Sequence, residues 1–210
     1  MKKIFNNALL AMSLCFPLLG EDCSVKEVEI AIPIATDIPF QINSTNAVYS
    51  DVETVSFKGK VEQAIIDAGY NLSQVIEVKI ESVVYTITQN SSAPNTNLNG
   101  ALRVGPENLN NPQSASSLAQ LANVNLNAIA NQEQRPALNS AGVTFLNTKL
   151  MNAIVLNNDS GIFKAFLDGQ VSPAPPPNLA FQLAAKVSFT ILVVEEVELP
   201  NGCSNPLDGL

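Results

Sequence analysis

Histidine and tryptophan are both missing from the 210 residues, and cysteine occurs only three times. Without an imidazole there is no Ser-His-Asp or Cys-His nucleophile, no histidine acid–base chemistry and no common catalytic zinc site. One cysteine, Cys15, lies in the leader described below, so too few thiolates remain for structural zinc or an iron–sulfur cluster. Gly59, Gly69, Gly100 and Gly105 stand alone, with no following Gly-Lys-Ser/Thr, so no phosphate-cradling loop is written here. Charged residues make up 14% of the chain, against roughly 25% in an ordinary domain. Aromatics are 6%, and the tyrosines are Tyr49, Tyr70 and Tyr85. Tyr85 alternates in phase with Val83 and Ile87 and reads as core. Tyr49 lies among turn-like residues and reads as exposable, so the chain offers no dedicated aromatic platform for sugars. No cofactor is implied.

What is present starts with the leader. Lys2 and Lys3 precede an apolar run from Ala8 to Leu19, closed by Gly20. Basic, apolar and small in that order is the pattern of a secretory signal peptide over residues 1–20, too short for a membrane span. The mature product is then expected outside the cytoplasm: periplasmic, at the cell surface or extracellular. Losing Lys2 and Lys3 takes the net charge from −8 to −10, which disfavours nucleic acid and anionic membranes as partners. No later apolar run is long enough to cross a bilayer as a helix. A lipid anchor fits poorly, because Leu14 precedes Cys15 and Glu21-Asp22 precedes Cys23 where small residues are needed. Cys23 and Cys203 bracket the remaining chain, and in an oxidising compartment one disulfide between them is expected; two free thiols are the alternative.

Hydrophobic content of 46% supports a folded core in residues 21–210, expected as one domain. Val28, Ile30, Ile32 and Ile34 alternate with polar or small residues as a half-buried strand, and Pro33 suggests an edge. Short extended pieces follow at Phe40–Asn43 and Val52–Lys58. Val61, Ile65 and Ile66 share a helical face ended by Gly69. From Val75 to Gln89 the apolar set changes face, from Ile76, Val78 and Ile80 to Val83, Tyr85 and Ile87, which calls for a β-bulge near Ser82. Leu98–Val104 reads as the returning arm of a hairpin. Ser117–Asn131 and a segment capped by Ser140, with Val143, Leu146, Leu150 and Ile154, read as two helices. Gly161–Val171 and the long alternation from Phe181 to Val193 return to strand. These patterns predict a mainly β chain: an antiparallel β-sandwich, immunoglobulin-like or related, with a two-helix insertion at about 106–157.

Two chemistries remain open. Carboxylate pairs for glycoside hydrolysis are Glu77 with Glu81, about 13 Å apart on one strand, or Glu195 with Glu196; a solvated face also explains them. Asn157 and Asp159, before Gly161, offer oxygen ligands to calcium, but Asn-Asp-Ser-Gly is equally ordinary turn chemistry. Asn43, Asn71, Asn90 and Asn158 head Asn-x-Ser/Thr triplets that chance accounts for in an Asn-rich chain.

The stretch Glu77-Val-Lys-Ile-Glu-Ser-Val-Val-Tyr-Thr-Ile-Thr88, with Gly100-Ala-Leu-Arg-Val104, resembles the core hairpin of uncharacterised exported bacterial β-sandwich proteins. That resemblance covers under a fifth of the chain; it implies the fold and no activity or site. The sequence thus points to a non-catalytic exported sandwich engaged in binding, adhesion or assembly with a protein or other envelope partner. A carrier of a small apolar ligand, housed between a sheet and the inserted helices, and a carboxylate-based hydrolase are the alternatives.

Overall fold

Period-two alternation governs most of the chain, and the strands it forms are long. The computed structural model describes residues 26–93, 95–172 and 179–197; Cys23 and Cys203 lie outside them. In chain order the elements are β1 (Lys26–Ser44), β2 (Val48–Ser56), α1 (Lys58–Asp67), β3 (Val75–Asn90), β4 (Asn97–Pro106), β5 (Ser116–Asn125), β6 (Glu133–Gln134), α2 (Ser140–Ile154), β7 (Ile162–Ser172) and β8 (Leu179–Val197). Residues 27–195 pack as one unit.

Two four-stranded sheets result, ordered β1-β8-β3-β6 and β2-β7-β4-β5. Every strand pair with a recorded register is antiparallel. The chain changes sheet at nearly every connection and stays within one only from β4 to β5. Eight strands wound this way form a jelly roll, so the expected sandwich is present in its jelly-roll form and not in the immunoglobulin strand order. Between the sheets lie Ile38, Phe40, Ile42, Leu98, Leu102, Phe163, Leu167, Phe181, Val187, Phe189 and Ile191, each nearly or fully buried.

The two pieces read near residues 25–34 and 40–43 are one strand, β1, on the edge of its sheet. Pro33 and Pro39 sit at exposed positions of that edge, where a missing N–H costs no ladder bond. The bulge in β3 is present: the register against β8 slips between Ile80 and Ser82. The interrupted ladder is mended from outside, because Asn147 Oδ1 on α2 accepts the Ile80 N–H at 3.0 Å. Helix α1 buries Val61 and Ile65. It ends as expected at Gly69, φ +89°, with the Tyr70 N–H returning to the Ile65 carbonyl.

Three expectations are corrected. β3 and β4 do not form a hairpin; β3 pairs with β8 and β6, while β4 pairs with β5 and β7 in the opposite sheet. The segment at 117–131 is not a helix but strand β5 followed by a turn. Its helix-like spacing of Leu118 and Leu121 comes from a register slip against β4 between Leu102 and Arg103, which reorients the residues beside it. The region 106–157 therefore contributes two strands of the sandwich itself and one helix, α2, instead of a two-helix insert. The other α-helix among the described residues is α1, outside that region. Asn139, one residue before the predicted cap, caps α2 by accepting the Ala141 N–H at 3.0 Å.

Helix α2 packs against β5 and β3, bridging the two sheets. Leu146, Leu150, Ala153 and Ile154 are buried there, and Gly142 allows the close approach: a Cβ added to it would stand 2.5 Å from Leu118 Cα. No helix among the described residues is long and apolar enough to cross a membrane.

Candidate functional site

The outward face of the β2-β7-β4-β5 sheet carries a polar cluster that alternation alone places in water. Asp168 on β7 is nonetheless only 6% exposed. Its Oδ1 accepts from Arg103 Nε on β4 at 2.8 Å, and its Oδ2 accepts from Gln113 Nε2 at 2.7 Å. Gln113 arrives from a short 3₁₀ turn at Pro112–Ser114, whose Asn111 side chain accepts the Gln113 N–H. Ala101, not Arg103, lies directly across from Asp168, so the ion pair runs on the diagonal between strands. A buried carboxylate with both oxygens engaged is a rigid fixture.

Beneath it, on the core side, the sheet is thin. Tyr49, Gly169 and Gly100 lie opposite one another across β2, β7 and β4 and so share one face. The Tyr49 ring covers the two glycines and meets Phe181 of the other sheet edge-on at 5.9 Å. A Cβ on Gly100 or Gly169 would stand 2.5 or 2.6 Å from the Tyr49 hydroxyl, so the phenol fills the space two side chains would take. Contrary to the expectation that it is exposable, Tyr49 is 2% exposed; Tyr85 is buried as expected. The Tyr49 hydroxyl is buried with no hydrogen-bond partner among the described residues. Burial, then the negative charge of Asp168 and then Tyr85, push its ionisation well above the usual phenol range.

Over this thin region opens a concavity of about 520 Å³, walled by β2, β7, β4, β5 and the Pro112–Gln113 turn. A second, of about 230 Å³, lies by Pro39, Gln41, Glu53, Thr88 and Gln182. Each is lined by one carboxylate, Asp168 or Glu53, and neither by α2. Burial and then Asp51 raise the Glu53 pKa. Asp51 itself is tied down, accepting the β1 Gln41 N–H at 2.7 Å and its neighbour Val52 N–H at 2.9 Å. The close fit of α2 on β5 counts against an apolar-ligand chamber under that helix.

The residues singled out from sequence fall elsewhere. Glu77 and Glu81 are exposed on β3, and Glu81 lies 3.7 Å from Lys79 in solvent. Glu195 receives a long 3.5 Å hydrogen bond from Tyr70, and the Glu196 side chain is outside the described residues. Asn157 Oδ1 accepts from Lys58 Nζ at 2.7 Å, and Lys149 Nζ lies 2.7 Å from both Asp159 oxygens. Burial alone raises the Asp159 pKa. The Lys149 and Gly161 hydrogen bonds and the Lys149 and Lys58 charges outweigh it, so the carboxyl titrates below its usual range. A calcium ion there would meet two ammonium groups already seated on the same oxygens. Sequence reading missed the Arg103–Asp168–Gln113 cluster. Its one trace was mid-strand glycine, Gly100 and Gly169, which marks close backbone approach.

No family model matches the chain, and no curated protein matches it. Among solved structures it is similar to a chain of Desmodium yellow mottle tymovirus, at 14% identity over 89% of this chain and 97% of that one, TM-score 0.31. It is also similar to a chain of turnip yellow mosaic virus, at 10% identity over 90% and 91%, TM-score 0.29. Likeness at such scores carries no argument for this chain.

Proposed function

We propose that this protein is an exported, non-catalytic jelly-roll module that works by binding a partner at the cell envelope. The observation that carries the reading is the concavity on the outer face of the β2-β7-β4-β5 sheet, built over the fixed Arg103–Asp168–Gln113 cluster. A rigid sheet with pinned polar groups suits recognition, because little ordering entropy is lost on binding. The carboxylate within it supports the same reading: Asp168 is held by structural donors on both oxygens, which does not leave it as a ready base or nucleophile. Leader and composition support export.

The test is saturation binding of labelled protein to isolated cell envelopes. Saturable binding, competed by unlabelled protein and weakened when Ser50→Trp fills the concavity, is the expected result. Unsaturable binding overturns the proposal. So does turnover of a substrate at a rate that Glu53→Gln abolishes.

A further inference from the structure

The lining of the larger concavity narrows what it can hold, and this inference rests on the binding reading above. Its two formal charges, Arg103 and Asp168, neutralise each other at 2.8 Å, and no other charged side chain among the described residues lines it. A ligand carrying net charge finds no unpaired counter-charge there. Four side-chain amides surround the pair: Asn99, Gln113, Gln120 and Gln170.

Three of them are pinned at one end. Asn99 Oδ1 accepts from the Asn123 N–H at 2.8 Å, Gln113 Nε2 donates to Asp168 at 2.7 Å, and Gln120 Nε2 donates to Ser117 Oγ at 3.0 Å. Their other ends, a donor on Asn99 and acceptors on Gln113 and Gln120, have no side-chain partner among the described residues. Neither end of Gln170 has one. The fold thus fixes both donors and acceptors around one space. A hydroxyl is donor and acceptor at once, so a ring of neighbouring hydroxyls satisfies such a set with no charge involved. Val48, 66% exposed at the rim, offers apolar contact to ring C–H groups. The volume of about 520 Å³ suits a small ligand, such sites running from about 300 to 1,000 Å³.

We propose that this concavity binds a neutral saccharide unit, gripped by amides instead of stacked on an aromatic ring. The experiment is a titration of ¹⁵N-labelled protein with glucose, galactose, mannose, N-acetylglucosamine and their β1,4-linked dimers, followed by NMR. Shifts at the Gly100 and Gly169 amides and at the Gln113 and Gln170 side chains are expected with at least one of these sugars. Loss of one hydrogen bond in Gln120→Ala or Gln170→Ala should weaken that sugar about tenfold. Gln182→Ala, at the smaller concavity, should leave it unchanged. No shift with any neutral sugar at high-millimolar concentration overturns the inference. So do shifts with charged glucuronate or glucosamine alone, and affinity indifferent to the two alanine changes. Saturable envelope binding without sugar-induced shifts would sink the saccharide inference and leave the binding reading standing; loss of both would sink both.

Discussion

The two ends of the sandwich are filled by opposite means. At one end Phe57, Phe163 and Phe189 are essentially inaccessible, Phe57 stacking on Phe189 at 5.5 Å and meeting Phe163 edge-on at 5.0 Å, with Phe145 of α2 6.5 Å beyond. At the other, two glycines leave the sheet bare, one phenol covers them from inside, and outside them the concavity opens beside the Arg103–Asp168 pair. The first end is held by rings that fill volume. The second is held by backbone approach and pinned polar groups, and the larger concavity opens over it. A binding surface forms where the fold keeps a sheet thin and its polar groups fixed.

The largest effect that separates the ends should be Phe163→Ala. It deletes a ring meeting two others in a fully packed region and should cost about 3–5 kcal/mol, read as a lower midpoint in urea unfolding. A loss below about 1 kcal/mol would show that this end is no better filled than the other. Next comes Arg103→Met, which strands the buried Asp168 carboxylate beside a single amide and should cost about 3 kcal/mol. The double change with Asp168→Leu should recover most of it, because the cost lies in the unpaired charge; no recovery in a double-mutant cycle would contradict the account of the cluster.

Tyr49→Phe should act with the opposite sign. It keeps the ring over Gly100 and Gly169 and removes a hydroxyl with no partner among the described residues, so stability should hold or rise by up to about 1 kcal/mol. A clear loss would mean that the hydroxyl is satisfied after all. The smallest effect belongs to Asp159. Its folded-state pKa lies below the ordinary carboxylate value, so its contribution is present above that ordinary value and disappears as pH falls through the depressed one. Asp159→Asn should therefore flatten the acid limb of the stability profile while costing under about 1 kcal/mol near neutrality. An unchanged acid limb would show that Lys149 does not hold it.

Much of the strand content could be read from alternation, down to the slip near Ser82 that moves the buried set from Val78 and Ile80 to Val83, Tyr85 and Ile87. Ile76, expected with the first set, is instead exposed and Val75 buried, where the register slips again before Glu77. The misreadings arose where a local rule had two solutions. Leu118 and Leu121 have helical spacing, yet a bulged strand presents them as well. A polar turn between β3 and β4 looks like a hairpin turn, yet it crosses the sandwich. The candidate site was hidden for a related reason: Arg103 and Asp168 are 65 residues apart, and each taken alone is an ordinary charge on a strand.

The sequence by itself determined that this is a β chain without imidazole chemistry, since side-chain period and residue inventory are local properties. Strand order, and with it the meeting of Tyr49, Gly100, Gly169, Arg103 and Asp168, was decided only by the tertiary structure. Which strands pair depends on how distant apolar faces close over a common core, and neighbours along the chain carry no record of that choice.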